Sequence, residues 1–138
     1  MKVFIIDDNL PLAYVLNQWI LYKGHESAFE VNPHKVIELV RDGSLDGYDY
    51  ILLDLLLNGI SGMDVYEEIK KRGIESKVVI VSGCDVNTEI FQKAVQAKLP
   101  IVTKKFDSEK LVDRLESGKI REWCEELDYM SKIDHHII

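Results

Sequence analysis

Much is missing from this 138-residue sequence. It has two cysteines, Cys84 and Cys124, far apart and without a C-x-x-C partner, which excludes a disulfide-stapled scaffold and reads as two reduced thiols of a cytoplasmic protein. Basic residues are in deficit: 17 Lys and Arg stand against 24 Asp and Glu, a net charge of −7. An acidic surface argues against direct binding to nucleic acid or to an anionic membrane. No apolar run is long enough to span a bilayer. The one at the N-terminus is too short for a signal peptide. Repeats and low-complexity tracts are absent. So is a G-x-x-x-x-G-K-[ST] loop, and no Ser-His-Asp or Cys-His set has supporting spacing.

What is present is a βα alternation. Residues Lys2–Ile6 are β-branched or aromatic almost throughout and predict a first strand, ending in Asp7-Asp8-Asn9. Asn9 is a natural N-cap, with Pro11 in the first turn and Leu12, Val15, Leu16, Trp19 and Ile20 at helical spacing up to Gly24. A short strand over 27–31 follows, then a helix capped by Asn32 with Val36, Ile37 and Val40 inward. The run Tyr50–Leu53 is continuously apolar, the pattern of a strand buried on both faces, and it ends on Asp54. A third helix over Gly62–Arg72 closes at Gly73, and a fourth strand runs to Ser82. A helix from Asn87 or Thr88, a strand over 100–103 and a helix capped by Asp107 or Ser108 complete five repeats. Such alternation implies an α/β fold with one parallel sheet between two helical layers, and at this length the flavodoxin-like doubly wound strand order 2-1-3-4-5. The repeat spans residues 1–116. Residues 117–138 then form a C-terminal helical extension and tail, with a stripe of Ile120, Trp123, Cys124, Leu127 and Met130. The plain reading folds this helix back on the domain. The sharper one makes it a homodimerisation or partner-binding helix with Trp123 as anchor. His135-His136 reads as tail, not as a metal site.

In that strand order the carboxyl ends of strands one, three, four and five converge, where open α/β sheets place ligands. They carry Asp7 and Asp8, Asp54, Ser82, and Lys104 or Lys105. Clustered carboxylates repel one another unless a cation sits among them, and an all-oxygen set favours Mg²⁺, with Mn²⁺ as substitute. A lysine and a hydroxyl beside them suit a phosphoryl group next to a carboxylate nucleophile. Rival phosphate chemistries fit less well. The loop after the first strand is acidic rather than glycine-rich, and Leu56 stands where an Asp-x-Asp phosphatase needs its second acid.

These residues are those by which the chain resembles the receiver domain of two-component response regulators: Asp7-Asp8, Asp54, Ser82 and Lys104 at successive strand ends, with Gly62 eight residues past Asp54. The resemblance implies a signalling module in a phosphorelay, not an enzyme acting on outside substrates. Asp54 would accept a phosphoryl group from a phosphohistidine on a sensor histidine kinase or phosphotransfer protein, and a partner-binding surface would then switch. It implies Mg²⁺ on Asp8, Asp54 and the Leu56 backbone carbonyl, with Asp7 acting through water. Lys104 would contact Asp54 and then the phosphoryl group, and Ser82 would move to meet it. Two departures stand out. Ile101 occupies the place of a switch aromatic, and Lys105 that of a proline which often follows a cis bond. A non-proline cis bond costs about 3–4 kcal/mol, so Lys104–Lys105 is expected trans, or strained if cis. The departures motivate an alternative, a receiver-like interaction module independent of phosphorylation. Leu56 offers water no hydrogen bond, so a phosphorylated form is expected to lose its phosphate slowly, over hours.

Overall fold

The computed structural model describes residues 1–126. Five strands, β1 (Lys2–Ile6), β2 (Glu26–Glu30), β3 (Tyr50–Leu53), β4 (Val78–Ser82) and β5 (Ile101–Thr103), alternate with helices α1 (Leu10–Tyr22), α2 (Pro33–Arg41), α3 (Gly62–Arg72), α4 (Glu89–Gln96) and α5 (Ser108–Glu116). A sixth helical stretch, α6, runs over 120–126. All pairings are parallel and the strand order is β2-β1-β3-β4-β5, as the alternation implied. The register sets Ile6 beside Leu53 and Ser82 beside Thr103, so the residues that follow β1, β3 and β5 emerge at one edge with the end of β4.

Alternate strand residues face two cores. Phe4, Ile6, Ile51, Leu53 and Ile80 pack under α2, α3 and α4. Val3, Ile5, Leu52, Val79, Val81 and Val102 pack under α1, α5 and α6. Both sides of β3 and β4 are thereby buried, which is why their sequences carry no polar alternation. The helices start where the cap residues lie: Asn9, Asn32, Ser61, Thr88 and Asp107 each accept a backbone N–H with the side chain. Ser61 and Asp64 form a reciprocal capping box, and Gly73 ends α3 in the left-handed region at φ 82°.

One detail differs from expectation. Val15, placed inward by spacing, is 47% exposed, and α1 buries Ala13 and Asn17 beside the expected Leu16 and Ile20. Helix α1 has no charged residue at all. Its apolar residues surround the axis, and spacing alone then leaves the buried face undefined. At the C-terminus the plain reading holds. Ile120, Trp123 and Cys124 are 5%, 4% and 8% exposed and belong to the α1/α5 core, so Trp123 is no exposed anchor for a second copy or a partner. Leu127, Met130 and the His135-His136 tail lie outside the described residues.

Candidate functional site

At the carboxyl edge of the sheet the predicted residues meet. Asp54, one residue beyond β3, is 3% exposed. Its Oδ2 lies 2.7 Å from Lys104 Nζ, and its Oδ1 accepts the Ser82 hydroxyl at 2.9 Å and the Leu56 N–H at 3.1 Å. Asp7 is 5% exposed, accepts the Asn9 N–H at 2.9 Å and stands 3.2 Å from the same ammonium. Asp8, next in the chain, is exposed. Each of Asp7, Asp8 and Asp54 offers a carboxylate oxygen within 4.8 Å of the others.

The electrostatics are those of a site short of positive charge. Burial pushes the Asp7 carboxyl up to about 6; the Asn9 amide opposes this, the Asp54 charge adds to it, and Lys104 opposes it. Burial works against the Lys104 ammonium too, but its hydrogen bond to Asp54 and the charges of Asp54 and Asp7 outweigh that and raise its pKa above the ordinary lysine value. One ammonium thus serves two buried carboxylates while a third stands at the mouth. An oxygen-only donor set with surplus negative charge fits a hard divalent cation such as Mg²⁺.

The backbone holds this arrangement close. A Cβ built on Gly62 would lie 2.1 Å from the Asp54 carbonyl oxygen and 2.7 Å from Leu55 Cα, and the Gly62 N–H donates to the Leu55 carbonyl at 2.8 Å. The start of α3 therefore rests directly on the chain that carries Asp54. Sequence reasoning missed three donors, the N–H groups of Asn9, Leu56 and Cys84, the last of which reaches Ser82 Oγ at 3.2 Å. Backbone amides leave no residue-type signal.

Comparison with known proteins agrees with this architecture. A family model for the response regulator receiver domain matches residues 3–116. The chain belongs to that family. It is 25% identical over 116 residues to an uncharacterized transcriptional regulatory protein, YkoG, of Bacillus subtilis (strain 168), a match covering 84% of this chain and 50% of that one. The chain spans about half the length of this curated relative. Among solved structures it resembles a CheY-like response regulator receiver domain protein from Methanospirillum hungatei JF-1, with TM-score 0.73 and 17% identity over 91% of this chain and 97% of that one. It also resembles the receiver domain of the Francisella response regulator 1452, with TM-score 0.70 and 20% identity over 88% and 96% of the two chains.

Within this receiver the two-lysine ambiguity resolves by position. Lys104 points into the acidic cluster, whereas Lys105 is exposed and adopts φ 72°. The described residues contain no cis peptide, so the Lys104–Lys105 bond is trans, and left-handed backbone at Lys105 makes the turn instead. Ile101 is half-buried in the place of the switch aromatic. A cleft of about 680 Å³ opens at the opposite edge of the sheet, beside His25, Asp49, Lys77 and Glu116, and none of the site residues reaches it.

Proposed function

We propose that this receiver is a phospho-acceptor in a two-component relay, with Asp54 taking the phosphoryl group from a phosphohistidine on a sensor kinase or phosphotransfer protein. The observation that carries this reading is the shared ammonium: Lys104 Nζ lies 2.7 Å from Asp54 and 3.2 Å from Asp7 at the mouth of a parallel sheet. An Asp54 oxygen attacks phosphorus, the P–N bond to the donor imidazole breaks, and an acyl phosphate forms on Asp54. Asp7, Asp8 and Asp54, with the Leu56 carbonyl, would hold Mg²⁺, which neutralises charge on the transferring group. The Lys104 stem is long enough to let its ammonium move from the carboxylate to a phosphoryl oxygen, and the Ser82 hydroxyl, already 2.9 Å from Oδ1, donates to another. The protein supplies position and charge, which is most of what phosphoryl transfer requires.

Intact mass after incubation with Mg²⁺ and acetyl phosphate or a phosphoramidate tests this. One phosphoryl adduct of about 80 Da is expected on the wild type and none on Asp54→Asn. No adduct on the wild type, together with no Mg²⁺ binding by calorimetry, would overturn the reading in favour of a phosphorylation-independent interaction module.

A further inference from the structure

Strand β5 lies between the phospho-acceptor site and α6, and both of its ends are held in unusual backbone. Lys98 (φ 57°) and Lys105 (φ 72°) are the two non-glycine residues with positive φ among the described residues, and they bracket the three residues of β5. Such conformations cost of order 1–3 kcal/mol each and persist where surroundings enforce them. At one end the enforcing contacts belong to the site: Lys104 N–H donates to the Ser82 carbonyl at 2.9 Å and its ammonium pairs with Asp54 and Asp7. At the other end Lys98 closes α4, its N–H donating to the Val95 carbonyl at 2.9 Å and the Leu99 N–H to the Ala94 carbonyl at 3.3 Å, and Arg121 Nη1 of α6 ties onto that turn by donating to the Lys98 carbonyl at 3.2 Å.

Helix α6 also seats on the open edge of β5. Ile80 N–H donates to the Pro100 carbonyl, and alternate residues of a parallel ladder serve the same neighbour, so the Ile101 amide faces away from β4. The Ile101 backbone lies near enough to the Cys124 thiol to act on its charge, and Trp123, 4% exposed, belongs to the same core as Val102.

We propose that α6 is the output element of this receiver: phosphorylation of Asp54 shifts β5 and loosens α6 from its edge. This rests on the phospho-acceptor reading. When Lys104 leaves the carboxylates for a phosphoryl oxygen, the tie that sets the position of β5 is remade. A close-packed seat does not deform continuously, and it changes by letting go. The helix thus reports activation in a receiver that lacks the aromatic reporter at Ile101.

The test uses the full chain with Trp19→Phe, which leaves Trp123 as the single tryptophan. Acrylamide quenching of Trp123 is measured before and after phosphorylation by acetyl phosphate and Mg²⁺, with intact mass read on the same samples. The quenching constant is expected to rise about twofold or more in the phosphorylated sample, as a population shift toward undocked α6 requires. A complete adduct with unchanged quenching overturns the proposal. A missing adduct counts against the phospho-acceptor reading instead, and the coupling is then read in Lys104→Ala, which breaks the same tie without phosphate. Raised quenching in that variant supports the proposal, and unchanged quenching overturns it.

Discussion

Replacing Gly62 by alanine tests how closely the backbone holds the Asp54 carboxylate. The added methyl would stand 2.1 Å from the Asp54 carbonyl oxygen and 2.9 Å from its carbonyl carbon. Both are main-chain atoms, so no side chain can rotate away, and either α3 or the strand end must move. Overpacking of this kind costs about 1–3 kcal/mol, and a backbone clash belongs at the upper end. Alanine regains up to about 1 kcal/mol of helix propensity, less at the first helical position. A net loss of about 2 kcal/mol remains, which at about 4 °C per kcal/mol for a chain of this size lowers Tm by about 8 °C. Gly73→Ala is the control. That position has φ 82° but open space around it, so the cost is backbone strain alone, about 1 kcal/mol, far from Asp54. Thermal unfolding gives the stabilities, and intact mass against time in acetyl phosphate gives the phosphorylation rate. Gly62→Ala should slow phosphorylation by at least about tenfold because Asp54 is displaced, while Gly73→Ala should leave the rate unchanged. A Gly62→Ala variant with wild-type Tm and wild-type rate would refute the steric argument.

Further outcomes concern charge and water. Asp7→Asn should stabilise the metal-free protein above pH 6. A carboxyl moved from 3.8 to about 6 by folding binds its proton more tightly in the native state, so stability is lost as pH rises through that window, by roughly 2–3 kcal/mol at most. Urea midpoints of wild type and variant should separate at pH 7 and converge near pH 4; equal midpoints at pH 7 would contradict the burial argument. Leu56, 49% exposed at the mouth, should give way to glutamine with a shorter phosphoryl lifetime, by about tenfold, because the amide can orient a water. Decay of the phosphorylated species by mass would show it, and an unchanged lifetime would exclude a role for that side chain. Mg²⁺ affinity is read by calorimetry, because Trp19 lies on the third turn of α1, about 13 Å along the axis from its start, too far to report the ion.

The readable parts of the sequence were those where local chemistry and global fold agree. Helix α3 is bounded by Ser61 at one end and Gly73 at the other, and its buried Val65, Tyr66 and Ile69 follow the helical period. Strand β3 announced itself by four apolar residues ending on an acid. The strand order then brought Asp7, Asp8, Asp54, Ser82 and Lys104 to one edge, which follows from topology rather than from any single motif. The face of α1 was readable only in part: Leu16 and Ile20 are buried as their spacing implied, but Leu10, Tyr14, Val15, Leu21 and Tyr22 are exposed and apolar, so spacing does not mark the edges of the face. Nor was the difference between adjacent acids. Asp7 is enclosed and Asp8 open, a distinction made by the turn after β1 and not by residue type. The left-handed lysines flanking β5 were invisible for the same reason, since lysine carries no preference for that conformation.

The two edges of the sheet are protected in different ways. Strand β2 carries a glutamate at each end, Glu26 and Glu30, and like charges there oppose the stacking of one sheet on another. Strand β5 has no such charge and is shielded by α6. The match to the receiver family stops at residue 116, before that shield begins. A truncation at 116 would strip Ile120, Trp123 and Cys124 from the core and leave an uncharged strand edge beside an apolar hollow. Such a fragment is expected to aggregate edge to edge at concentrations where the longer chain stays dispersed, and light scattering of the two would separate them.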